Sequence, residues 1–133
     1  MPTPVTGNVQ RWLRLEGVAI LALALLLYAQ HGGTWKTFVI VFLLPDLSML
    51  GYLLGPRLGA GIYNLAHSYV GPLLTFAASV DFGLGDPGPV SLVWLAHISL
   101  DRALGLGLKY PTSFRDTHLG HIGRPRDDDG LLL

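Results

Sequence analysis

Four apolar stretches of about twenty residues each, parted by short polar turns, organise this chain. They cover residues 12–30, 35–54, 58–79 and 90–109. A helix rises ~1.5 Å per residue, so each stretch is long enough to cross the ~30 Å hydrocarbon layer of a bilayer. The breaks carry helix-stopping chemistry: His31-Gly32-Gly33, Gly55-Pro56-Arg57, the Gly, Pro and Asp of residues 81–89, and Tyr110-Pro111. Pro45 lies inside the second stretch, where it removes a backbone donor and predicts a kink. Residues 1–11 read as a short polar arm. Residues 111–133 read as a polar, mostly disordered tail containing the solvated run Asp127, Asp128 and Asp129.

Composition turns these stretches into membrane spans. Half of the residues are apolar and 14% are charged, against about 25% charged in a soluble domain. The first stretch shows no small-residue cleavage site behind a short apolar core, so it reads as a retained span. Four spans return both termini to one side. That side carries Arg11, Arg14, Arg57, Lys109, Arg115, Arg124 and Arg126, and the opposite side carries Lys36. The positive-inside rule then places both termini in the cytoplasm. The expected fold is an all-α membrane protein, an antiparallel bundle of four transmembrane helices. Nine acidic and nine basic residues cancel, which leaves no basic footprint for nucleic acid. The absence of cysteine excludes disulfides, thiolate metal sites and a thiol nucleophile.

Ionisable side chains in hydrocarbon are costly unless paired or turned toward a wet cavity. The fourth stretch nevertheless holds His97, Asp101 and Arg102, and spacing puts His97 and Asp101 on one helix face. At ~1.5 Å per residue from the cytoplasmic rim, Glu16 lies roughly 7 Å deep and Asn64 roughly 9 Å. Asp46, His67, Asp101 and Arg102 follow at roughly 12 to 14 Å, with His97 one turn higher. All four helices thus send a polar group into one layer, which predicts a polar chamber below the membrane midplane. The competing reading is packing alone. Asp101 or Asp46 would pair with Arg102, Glu16 with Arg14 or Arg57, and His67 would bond Tyr63 or Ser68 between helices. His118 and His121 read as surface histidines, and the glycines of the spans as sites of close helix approach.

Several of these residues fall in longer strings. Arg14-Leu15-Glu16-Gly17, Pro45-Asp46-Leu47-Ser48-Met49-Leu50-Gly51-Tyr52, and Tyr63-Asn64 with His67-Ser68-Tyr69 are three. Trp94, His97, Asp101-Arg102, Gly105 and Gly107 with Lys109-Tyr110-Pro111 form a fourth, and Phe114 with Thr117-His118-Leu119-Gly120 a fifth. Together they resemble the domain-of-unknown-function 4260 family, over about residues 11–121. The resemblance implies a small multi-pass protein of the bacterial inner membrane, and it implies no activity.

The chamber admits three chemistries. The first is acid/base catalysis on a lipophilic small molecule that enters sideways from the bilayer: isomerisation, epoxide opening or cyclisation. A carboxyl taken out of water favours its neutral form and can donate a proton. Asp101, Asp46, His97, His67 and Glu16 are the expected catalytic groups. Asn64, Tyr63, Arg102, Trp94 and Tyr52 are the expected substrate contacts, Arg102 also keeping one carboxylate ionised. No cofactor is favoured. The second chemistry uses a divalent metal, iron or zinc, held by the two histidines with carboxylates from Asp46, Asp101 and Glu16, or haem through His67 or His97, although the Glu-x-x-His spacing of di-iron bundles is missing. The third is proton-coupled transport, for which four helices are few and a homo-oligomer would be needed.

Overall fold

The computed structural model describes residues 3–31, 33–82 and 88–123. Its elements are α1 (Gly7–Gln30), α2 (Trp35–Leu43), a 3-10 helix (Leu44–Leu54), α3 (Pro56–His67), α4 (Val70–Phe82) and α5 (Gly88–Leu104). A hairpin of β1 (Asp116–Thr117) and β2 (Gly120–His121) follows. Gly7–Gln30 and Trp35–Leu54 are each long and apolar enough to cross a membrane. Large apolar side chains crowd their outer faces, among them Leu23, Leu26, Val39, Ile40 and Leu43.

The central element is α5, which packs on α1, α2 and α4, while α3 packs on the 3-10 helix. α1 and α5 run antiparallel. Gly17 meets Ser99, Arg102 and Ala103, and Tyr28 is buried with Leu92 and Val93. The Tyr28 hydroxyl donates to the Thr34 carbonyl at 2.7 Å, which satisfies its one buried polar atom. From Tyr28 an aromatic series passes through Phe38 (5.2 Å between centroids) and Phe42 (5.5 Å) to the His97 ring (4.9 Å). One histidine of the candidate site is therefore walled by core.

The four expected stretches are largely helical, with α1 starting at Gly7 inside the expected polar arm, but three depart from a plain span. The second changes pitch at Leu44, where Pro45 cannot continue the α-helical hydrogen bonding. A 3-10 helix has three residues per turn, so every third side chain lies in one row. Leu44, Leu47, Leu50 and Leu53 form the exposed row, and Pro45, Ser48 and Gly51 turn inward. The third stretch is two helices. Pro72 can neither bond the Ser68 carbonyl nor avoid its clash, and Ser68 is extended at φ −95°, ψ 154°.

The fourth stretch ends five residues early. Gly105 adopts φ 85°, with Gly105 N–H donating to Arg102 O and Leu106 N–H to Asp101 O, a glycine-dependent helix stop. Beyond it, residues 105–123 are ordered and fold back on the bundle, which corrects the expectation of a mostly disordered tail. His118 O accepts from Val5 N–H, so the N-terminal arm and the returning segment meet at one end. Thr117 and Leu119 are buried there. Most of the turn after α4, the Asp127 to Asp129 run, and Arg124 and Arg126 lie outside the described residues.

Candidate functional site

Asp46 from the 3-10 helix, His67 from the last turn of α3, and His97 and Asp101 from α5 converge on one point. His67 Nε2 and His97 Nε2 are 3.2 Å apart. Asp46 Oδ1 lies 3.5 Å from His67 Nε2 and 3.3 Å from His97 Nε2. Asp101 Oδ2 lies 3.6 and 3.4 Å from the same two nitrogens. Both histidines are buried, whereas the Asp46 side chain is 40% exposed and that of Asp101 16%. Access to the cluster therefore comes from the Asp46 side.

Neighbours fix the His67 ring. Its Nδ1–H donates to the Tyr63 carbonyl at 3.0 Å, one turn back, and Ser48 Oγ lies 3.4 Å from the same nitrogen. Tyr63 stacks flat on it at 3.8 Å. His97 Nδ1 is buried beside the Phe42 backbone without a hydrogen bond of good geometry. Next to the cluster is an open-sided apolar cavity of about 260 Å³ lined by Val41, Leu44, Pro45, Ala66, Val90 and Trp94. Pro45 and Ala66 adjoin Asp46 and His67 in the chain. The cavity is thus lined by chain neighbours of the polar groups and by none of the four themselves.

The remaining expected site residues have other duties. Glu16 is exposed on α1 and stands outside the cluster, since Gly17 is the residue α1 turns toward α5. Trp94 and Arg102 brace the gap between α3 and α4. That break strips two carbonyls of their helical partners. Trp94 Nε1–H donates to Ala66 O at 2.6 Å, and an Arg102 amine donates to His67 O at 3.0 Å. Arg102 thus spends its donors on backbone, including Leu106 O at 3.4 Å, and pairs with neither aspartate among the described contacts. Trp94 also lines the cavity.

Asn64 clips the returning segment at both backbone groups of Lys109, at 2.8 and 2.7 Å. Tyr52 packs on Gly59 and edge-on to Phe114 at 5.2 Å. His118 accepts from Leu108 N–H at 2.8 Å, and its neighbour His121 pairs with Asp116 at 2.9 Å.

Lys109, which the sequence offered only as a marker of sidedness, is buried at this end. Its ammonium donates to Phe114 O at 2.7 Å and sits over the Phe114 ring at 3.6 Å and the Tyr63 ring at 4.6 Å. Burial pushes it down from 10.5 to about 8, against the opposing pull of Asp101. A folded-state value below the unfolded one means the unfolded chain binds more protons between those limits. Wild-type stability should therefore rise relative to Lys109→Met between pH 8 and 10, read from melting in detergent. A constant difference across that window would contradict this environment.

No curated protein and no solved structure matches the chain. The model of a domain of unknown function, DUF4260, matches residues 10–122, from the first turn of α1 through the returning hairpin, so the chain belongs to the DUF4260 family.

Proposed function

We propose that this chain is a multi-pass membrane enzyme, both termini cytoplasmic, that performs acid/base chemistry on a lipophilic small molecule. The observation that carries the reading is the meeting of two histidines and two aspartates beside an apolar cavity. Four groups of this kind can hold and pass protons between two buried histidines and two more accessible carboxyls. The cavity suits the carbon skeleton of a substrate whose single oxygen faces the cluster. Asp101 gives a proton to that oxygen as its bond to carbon opens. A second group of the cluster takes a proton from the neighbouring carbon, which completes an isomerisation, or from the water that adds.

The test is a panel of lipophilic epoxides, enols and ketones incubated with detergent-purified protein, with products read by mass spectrometry. Wild type should convert at least one class, and Asp101→Asn should lose about 100-fold or more in rate while melting as wild type does. Full turnover by Asp101→Asn sinks the assignment, as does a wild type inert toward all three classes.

A further inference from the structure

We propose that Asp46, His67 and His97 form a binding site for a divalent transition-metal ion of zinc type. This deepens the preceding reading and rests on it only for the use to which the ion is put. Their three donor atoms make a near-equilateral triangle with edges of 3.2, 3.3 and 3.5 Å. Among the described residues these three can offer one ligand atom each to a common ion, and Asp101 Oδ2 stands 3.6 and 3.4 Å from the same two nitrogens on its own side. Zinc bonds nitrogen and carboxylate oxygen at about 2.0–2.2 Å, which for tetrahedral ligands puts donor atoms about 3.3–3.5 Å apart. Octahedral neighbours would stand closer, at about 3.0 Å. The triangle has the tetrahedral size and leaves a fourth position open.

Protons alone explain this arrangement poorly. A proton shared between charged partners draws them to about 2.7–2.9 Å. Here the distance between the two histidines and the four distances from them to the aspartates lie between 3.2 and 3.6 Å. Because the Nδ1–H of His67 is given to Tyr63 O, Nε2 of the neutral ring presents a lone pair. His97 Nε2 carries at most one hydrogen for three facing acceptors, His67 Nε2, Asp46 Oδ1 and Asp101 Oδ2. Lone pairs aimed at a common point repel unless a cation lies between them. The His67 ring is also held as metal-bound imidazoles are, its second nitrogen donating to a carbonyl.

Asp101 touches both histidines and is not in the set with Asp46. It stays beside the ion as the group that moves protons. The site therefore takes one ion on two imidazoles and one carboxylate, with an open position for an oxygen of the lipophilic substrate.

Full-length protein purified in detergent and stripped with chelator should bind Co(II), the probe for this site, at about one ion per chain. The visible bands should have the strength of four-coordinate cobalt, and Zn(II) should displace it. His67→Ala and Asp46→Asn should each weaken binding about 10-fold or more, and Asp101→Asn should keep it. His97→Gln, closer in shape, guards against a misfolded alanine variant, with far-ultraviolet circular dichroism as the check. Absence of stoichiometric Co(II) binding by folded wild type overturns the metal site, as does loss of binding in Asp101→Asn equal to that in the ligand variants. Stripped protein that still turns over overturns the ion's part in the chemistry and leaves the acid/base reading standing. A loaded protein whose Asp101→Asn variant turns over normally upholds the site and rejects that reading.

Discussion

Gly17→Leu is expected to destabilise the protein by about 3 kcal/mol, lowering its melting temperature by roughly 10 °C. Even one added carbon at Gly17 would come within 2.8 Å of Ala103 N and Arg102 Cβ and 2.9 Å of Ser99 O. Two of those three are backbone, so no rotamer change relieves the overlap. α1 would have to lift from α5, which exposes Ser99 and loosens the turn carrying Arg102. The damage should spread along the shared face toward Tyr28, Leu92 and Val93. Gly61→Ala is the matched control. Gly61 has nothing within 4 Å of an added carbon, and alanine is the better helix former by about 1 kcal/mol. If the two substitutions melt alike, α1 and α5 are not in the contact described.

Arg102→Met should be nearly as damaging, at about 3 kcal/mol, although it preserves bulk and adds no clash. Its guanidinium is buried and donates to His67 O and Leu106 O, so its removal orphans both carbonyls. The first belongs to the residue that carries one ligand of the cluster. Arg102→Lys should not restore stability, because a single ammonium lacks the planar fork that serves two carbonyls at once. Hydrogen exchange gives the decisive readout. Amides from residue 68 to 70 should lose protection first, ahead of the rest of α4. Uniform loss of protection across all helices would mean that Arg102 supports the bundle generally and not this gap.

The helical character of the four stretches was legible in their apolar runs, although only Gly7–Gln30 and Trp35–Leu54 form helices of spanning length and hydropathy among the described residues. The interruptions were legible only in part. Pro45 announced a change in the second stretch, and Leu44, Leu47, Leu50 and Leu53 spell a three-residue period in plain view. Pro72 carried the same message for the third stretch and Gly105 for the fourth, where it was read as a packing glycine. Asp46, His67, His97 and Asp101 stood out because ionisable groups in apolar runs need a reason to be there. Glu16, Asn64, Trp94 and Arg102 stood out equally and serve differently. Their partners are backbone carbonyls freed by a break, a returning segment, or nothing within the cluster. None of these is written in residue spacing. Lys109 was missed because its cage includes Phe114, which only the fold-back of residues 105–123 brings near.

The 3-10 helix makes the candidate site depend on pitch. His97 and Asp101 ride on α5, an ordinary helix, whereas Asp46 is the third residue of Leu44–Leu54. Rewinding those eleven residues as an α-helix would shorten the segment by roughly 5 Å, from ~2.0 to ~1.5 Å per residue. Each step of three would also fall about 60° short of a full turn, so the leucine row would spiral inward and Asp46 would swing off His67 and His97. The leucine row thus works as a keel. An apolar environment around that row would hold an acidic group in register on another flank of the same helix.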